Sequence, residues 1–200
     1  MTEFPETRKS LLAQVQSLDD AESWREFVTI YRPVIYRLAR NRGLQHADAE
    51  DLAQKVVISV RKSIGDWEDD PSRGRFRSWL ARIARNAIIN ALTRRPPDAA
   101  MGGTSVLELL EGQPEPDRGT RENLDREYCR SLFRWAAQRI RGEFRDGTWD
   151  AFWLTAVEGM GVEQAAAALG KSVGAIYAAR SRVMRRLKAE IEKTGSVWRA

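Results

Sequence analysis

The sequence predicts an all-α protein made of two small helical domains joined by a flexible linker, the second carrying a helix-turn-helix. Three observations carry that expectation. Apolar residues recur at helical spacing from Leu11 to Ala91, with no run of alternating β-branched residues of the kind strands need. The stretch from Pro96 to Thr120, with "PPDAAMGG" and "EGQPEPDRG", is rich in proline, glycine and acid. In "GVEQAAAALGKSVGAIYAARSRV" a short alanine-rich segment, a turn at Gly170 and a longer helical segment have helix-turn-helix spacing. The expected organisation is a first domain over 1–95, a linker over 96–122 and a second domain over 123–200.

The elements follow in order. A first helix is expected near Lys9 to Leu18, and Asp19 or Asp20 can cap a second running to the glycine stop at Gly43, kinked or split at Pro33. After "HADAEDL" a third begins, with Asp48 placed to cap, Asp51 three residues on, and Leu52, Val56, Val60 and Ile64 along one face. In "RSWLARIARNAIINALTRR", Leu80, Ile83, Ala84, Ala87 and Ala91 make a buried stripe that ends at Pro96. Beyond the linker, "LDREYCRSLFRWAAQRIRGEF", "TWDAFWLTAVEGM" and the helix-turn-helix pair complete the second domain.

Composition narrows the function. With 42% hydrophobic residues in 200 the chain can bury a core, and its net charge of +5 favours an acidic partner. A single cysteine, Cys129, excludes an internal disulfide and thiolate clusters. There is one histidine, His46, and no glycine-rich phosphate loop, so metal and cofactor chemistry find no ligand set and neither is expected. No signal-peptide pattern or membrane-length apolar run occurs, so the expected place is the cytoplasm, without membrane insertion.

Charge is concentrated in two places. Between Arg73 and Arg95 lie seven arginines and no acid, interleaved with Phe76 and Trp79. Arginines neutralise phosphates and aromatics stack on unpaired bases, although both rings also suit a core. Arg82, Arg85, Asn86 and Asn90 are expected on the exposed side. From Lys171 to Arg199 eight basic residues face two acids. There Ile176, Val183 and Leu187 would turn inward, while Ala175, Tyr177, Ala178, Ser181, Arg182 and Arg185 would suit a major groove. A plain helical hairpin with a solvated basic face is the competing explanation. Asp48, Glu50 and Asp51 could also serve as catalytic carboxylates, but a capping pair already accounts for Asp48 and Asp51.

Together, "FVTIYRPVIYRLARNRGLQHADAEDLAQKVVISVRKSI", "GRFRSWLARIARNAIINALTRR" and the later helix-turn-helix resemble a bacterial sigma factor of the extracytoplasmic-function group, over about Trp24 to Ile191. The resemblance implies core RNA polymerase and promoter DNA as partners, with an anti-sigma factor as a further class. It puts Asp48, Glu50, Asp51, Gln54 and Lys55 at the polymerase interface. It also implies reading and melting of the minus-ten element by Trp67, Arg75, Phe76, Arg77, Trp79, Arg82, Arg85, Asn86 and Asn90. The minus-thirty-five element would be read by Ser172, Ala175, Tyr177, Ala178, Ser181, Arg182 and Arg185. The chain departs from the family pattern at Lys55, which stands where an acid is usual, and at Tyr177, Ala178 and Ala179, which stand where a lysine, a serine and an arginine are usual. The rivals are a stand-alone helix-turn-helix regulator and a carboxylate-dependent nuclease.

Overall fold

The computed structural model describes residues 9–16, 20–67, 76–93 and 118–193. Among them every regular element is helical: α1 (Lys9–Gln16), α2 (Ala21–Asn41), α3 (His46–Ser63), α4 (Phe76–Thr93), α5 (Arg118–Ile140), α6 (Asp146–Phe152), α7 (Val162–Leu169) and α8 (Val173–Lys193). A 3-10 turn at Arg141–Glu143 follows α5, and a π-helical turn at Trp153–Val157 follows α6.

The chain divides into two compact units, Met1–Ser131 and Leu132–Ala200. The expected linker lies outside the described residues as far as 117. From Arg118 the chain is helical, and the first half of α5 belongs to the first unit rather than opening the second. The cause is burial: Leu124 and Tyr128 are core residues, and the Tyr128 ring stacks on that of Tyr31 at 5.3 Å.

In the first unit α2 is the central element. Asp20 caps it, its carboxylate accepting from the Glu22 and Ser23 backbone amides at 3.0 and 2.9 Å, and the Ser23 hydroxyl donates back at 2.7 Å. Those bonds, the Ser23 hydroxyl first, hold the Asp20 carboxyl below its ordinary pKa. Of the expected kink or split at Pro33, the split does not occur: the helix runs through the proline without a break. Ile30, Tyr31, Val34 and Ile35 are all buried around the proline, and this packing offsets the roughly 3 kcal/mol a helical proline costs. At the end of α2, Gly43 takes φ 95°, which lets the Leu44 amide reach back to the Ala39 carbonyl at 3.2 Å.

α1, α3 and α4 pack around α2. Phe27, Tyr31, Phe76 and Trp79 form an aromatic centre, with Phe27–Phe76 and Tyr31–Phe76 edge-to-face at 5.9 and 5.6 Å. Burying each such ring contributes about 1.5–3 kcal/mol.

In the second unit α6 and α7 pack on α8. Ala151, Ala165, Ala166, Ile176 and Ala179 form one cluster, small side chains that bring the helices close. Ala167, next to Ala166 in the same alanine run, is exposed. The expected single helix over "TWDAFWLTAVEGM" changes register instead: the Thr155 hydroxyl donates to the Ala151 carbonyl at 2.7 Å, and the Glu158 amide reaches five residues back to Trp153. Gly170 takes φ 60°, and the Lys171 amide donates to the Ala166 carbonyl, ending α7 in a tight left-handed turn before α8.

Candidate nucleic-acid and protein interfaces

The first candidate surface is the outward side of α3. Leu52, Val56 and Val60 are buried as the spacing requires, with Ala49, Ala53 and Val57 beside them. That leaves Asp48, Asp51, Gln54 and Lys55 exposed. The expected cap is not at Asp48. The helix begins at His46, its N-cap is Gln45 without a side-chain bond, and Asp48 lies in the first turn, where its charge still meets the positive helix end. Glu50 is tied to Arg32 of α2 by an ion pair, and Asp51 pairs with Lys55 at 2.5 Å. The carboxylates are thus engaged separately, and among the described residues no cluster of His, Cys, Asp and Glu is placed to hold a metal. The sequence reading missed Ile58, which is 48% exposed one turn beyond Gln54 and Lys55, on the same face. Counting i, i+3, i+4, i+7 from Asp51 finds it.

The second surface, on α4, is narrower than expected. Phe76 and Trp79 are core rings. Arg77 turns inward, pairing with Asp125 at 3.2 Å and lying over the Tyr128 ring at 4.9 Å. Burial, the leading influence, pushes the Asp125 carboxyl above its ordinary pKa in spite of Arg77. Asn86 is only 2% exposed, so it is a buried residue and not part of an exposed face, and the Arg85 guanidinium lies 3.5 Å from its carbonyl oxygen. Ala87 is half-buried and Ala91 exposed, while Ala81 and Ile88 take the buried places. What remains toward solvent is Arg82, Arg85 and Asn90, each half-buried, and the Arg82 Nε has no hydrogen-bond partner among the described residues. Trp67 is half-buried, its carbonyl accepting from Gln16 at 2.6 Å and its ring edge-on to Phe76 at the start of α4. Arg75 lies outside the described residues.

The third surface is α8. Ile176, Ala179, Val183 and Leu187 face inward. Ser172, Ala175, Tyr177, Ala178, Ser181, Arg182 and Arg185 are all exposed. Ser172 has a local task as well, its hydroxyl accepting from the Ala175 amide at 3.2 Å. Behind this face an ion-pair network pins the far half of α8. Arg186 bonds Glu143 at 2.6 and 2.7 Å and Glu190 at 2.8 Å, and Glu190 also meets Arg139 at 3.0 Å and Lys193 at 3.3 Å. Burial alone would raise the Glu190 pKa, but hydrogen bonds from Arg186, Arg139 and Lys193 hold it at about 2. Arg186 is therefore spoken for, whereas no hydrogen bond or ion pair joins Arg182 or Arg185 to another described residue.

Comparison with known proteins shows which family the chain belongs to. The family model for sigma-70 region 2 matches residues 27–96, the stretch that holds α2, α3 and α4. The sigma factor CnrH of Cupriavidus metallidurans is 28% identical over 200 residues, covering 94% of this chain and 99% of that protein. The extracytoplasmic-function sigma factor SigE of Mycolicibacterium smegmatis is 30% identical over 164 residues, covering 82% of this chain and 58% of that protein. SigD of Mycobacterium tuberculosis, of the same group, is 27% identical over 184 residues, 88% of this chain and 80% of its own. The chain belongs to the extracytoplasmic-function group of the sigma-70 family. It is a transcription-initiation sigma factor rather than a stand-alone regulator. Among solved structures, CnrH in complex with the cytosolic domain of CnrY aligns over 94% of this chain and 99% of that one, at 24% identity and a TM-score of 0.38. No helix among the described residues of this sigma factor is long and apolar enough to cross a membrane.

Proposed function

We propose that this sigma factor docks on core RNA polymerase through the outward face of α3 and directs it to promoters by two DNA contacts. Asp48, Asp51, Gln54 and Lys55 would meet the polymerase, with Ile58 as an apolar anchor and Glu50 set by Arg32. Arg82, Arg85, Asn90 and Trp67 would meet the minus-ten region as it opens, where unpaired bases cost a few kcal/mol to expose and cationic and aromatic contacts offset that cost. The outward face of α8 would lie in the duplex at the minus-thirty-five element, with small and aromatic residues toward the bases and Arg182 and Arg185 toward phosphates.

The observation that carries this reading is the one-sidedness of α8. Its apolar side is filled by its own unit, and its other side presents exposed cations that no described residue engages. Basic charge gathered on one exposed side of a helix is the electrostatic footprint of a nucleic-acid partner. The mechanism is binding, with no catalytic step of the factor's own, and it belongs in the cytoplasm, where polymerase and DNA meet. Band-shift on a promoter duplex with and without core polymerase tests it: specific retention should require both proteins. Equally tight and specific retention by the chain alone would contradict it.

A further inference from the structure

The first two turns of α8 carry an unusual outward face for a helix that reads DNA. Bases are commonly read by Arg, Lys, Asn or Gln, whose paired donors and acceptors match one base edge. Here the outward positions are Gly174, Ala175, Tyr177, Ala178 and Ser181, and the cations Arg182 and Arg185 begin only beyond them. Arg180 does not fill the gap. It is exposed, but it stands four residues after Ile176 and three before Val183, both buried, so it leaves α8 on the side away from Ala178.

Tyr177 is 54% exposed, a large aromatic outside the buried core of its unit, and Val173 one turn earlier is exposed too. Gly174, beside them, is unexplained by the fold. Its φ is not positive, and a Cβ built on it would meet nothing within 4 Å among the described residues. A helical glycine without a conformational or internal packing reason leaves room for something outside the chain to approach the backbone.

Resting on the reading that α8 enters the major groove, we infer that Tyr177 is a specificity-determining residue that reads thymine 5-methyl groups in the upstream element, with Gly174 and Ala178 giving the backbone its close approach. Thymine is the base that offers an apolar group in the major groove, so an apolar, donor-poor face selects it. Arg182 and Arg185 supply phosphate affinity that is indifferent to sequence.

The test uses holoenzyme assembled from this chain and core RNA polymerase, with promoter duplexes randomised over the upstream element and fixed downstream. Bound duplexes should become enriched in thymine at one or more upstream positions. Replacing those thymines by deoxyuridine, which removes only the methyl, should weaken binding about fourfold per methyl, the equivalent of one buried methylene. Tyr177→Ala holoenzyme should bind the two versions alike. Gly174→Ala should leave the melting temperature unchanged or higher while weakening upstream recognition, and Gly174→Leu should abolish it. Enrichment followed by equal wild-type binding of thymine and uracil versions overturns the methyl inference and leaves α8 in the groove. A lower melting temperature for Gly174→Ala assigns the glycine to the fold and overturns its part. A pool that stays random overturns the placement of α8, and the inference with it.

Discussion

Arg186 and Glu190, one turn apart on α8, are joined at 2.8 Å on the side of the helix opposite its exposed face, and Arg186 also grips Glu143 just after α5. This clamp fixes the far half of α8. Glu190→Gln keeps the shape but removes the charge that receives Arg139, Arg186 and Lys193, and should cost about 2 kcal/mol. Thermal melts followed by circular dichroism at pH 7 check it.

The same residue sets a pH response. Glu190 titrates near 2 in the folded protein and near its ordinary value of 4.5 when unfolded. Its contribution is therefore complete above about pH 4.5 and lost as pH falls toward 2, because the unfolded chain then binds the proton first. A melting series from pH 6 to pH 2.5 should show a steeper loss for wild type than for Glu190→Gln.

Ile58 separates docking from folding. It is 48% exposed on the outward side of α3, so Ile58→Asp should shift stability by about 0.5 kcal/mol or less. Binding to core polymerase, followed by fluorescence anisotropy of labelled factor, should weaken at least tenfold. Unchanged affinity would remove α3's outward face from the interface.

Asn86 and Arg82 are one turn apart yet should behave differently. Asn86→Ala leaves a buried polar neighbourhood incomplete and should lower stability by about 1–3 kcal/mol, with transcription falling on every template. Arg82→Ala should leave stability nearly unchanged and impair a duplex promoter more than a pre-opened bubble. Abortive-initiation assays on the two templates distinguish them.

That contrast shows which parts of the molecule the sequence made legible. On α8 one side packs against its own unit and the other meets solvent, so a 3.6-residue period assigns Ile176, Val183 and Leu187 inward and Tyr177, Ala178 and Arg185 outward. α4 is packed on more than one side. Its buried set runs through Trp79, Leu80, Ala81, Ile83, Ala84, Asn86 and Ile88, wider than any single stripe, and Asn86 is inside it. The engagement of Arg77 by Asp125 joins residues far apart in sequence, and local periodicity carries no trace of such a pair. Asp48 resembled a cap because acids favour helix starts, but two earlier residues were already helical, and charge near a helix end does not fix where the first turn begins.

Arg185 should act through charge alone. Arg185→Ala should weaken holoenzyme binding to all promoters by a similar factor and reduce the slope of log affinity against log salt by about one unit. Titrations at several salt concentrations on two unrelated promoters check both statements.

The most direct measurement is run-off transcription by core RNA polymerase, with and without this chain, from two linear promoters that differ only in the upstream element. With the chain present, discrete transcripts should start at one position, far more from one template than the other, and Ala178→Glu should erase the difference while still binding polymerase. Core enzyme alone should give no discrete product. Discrete initiation without the chain, or discrimination by Ala178→Glu equal to wild type, would contradict the assignment of promoter specificity to α8.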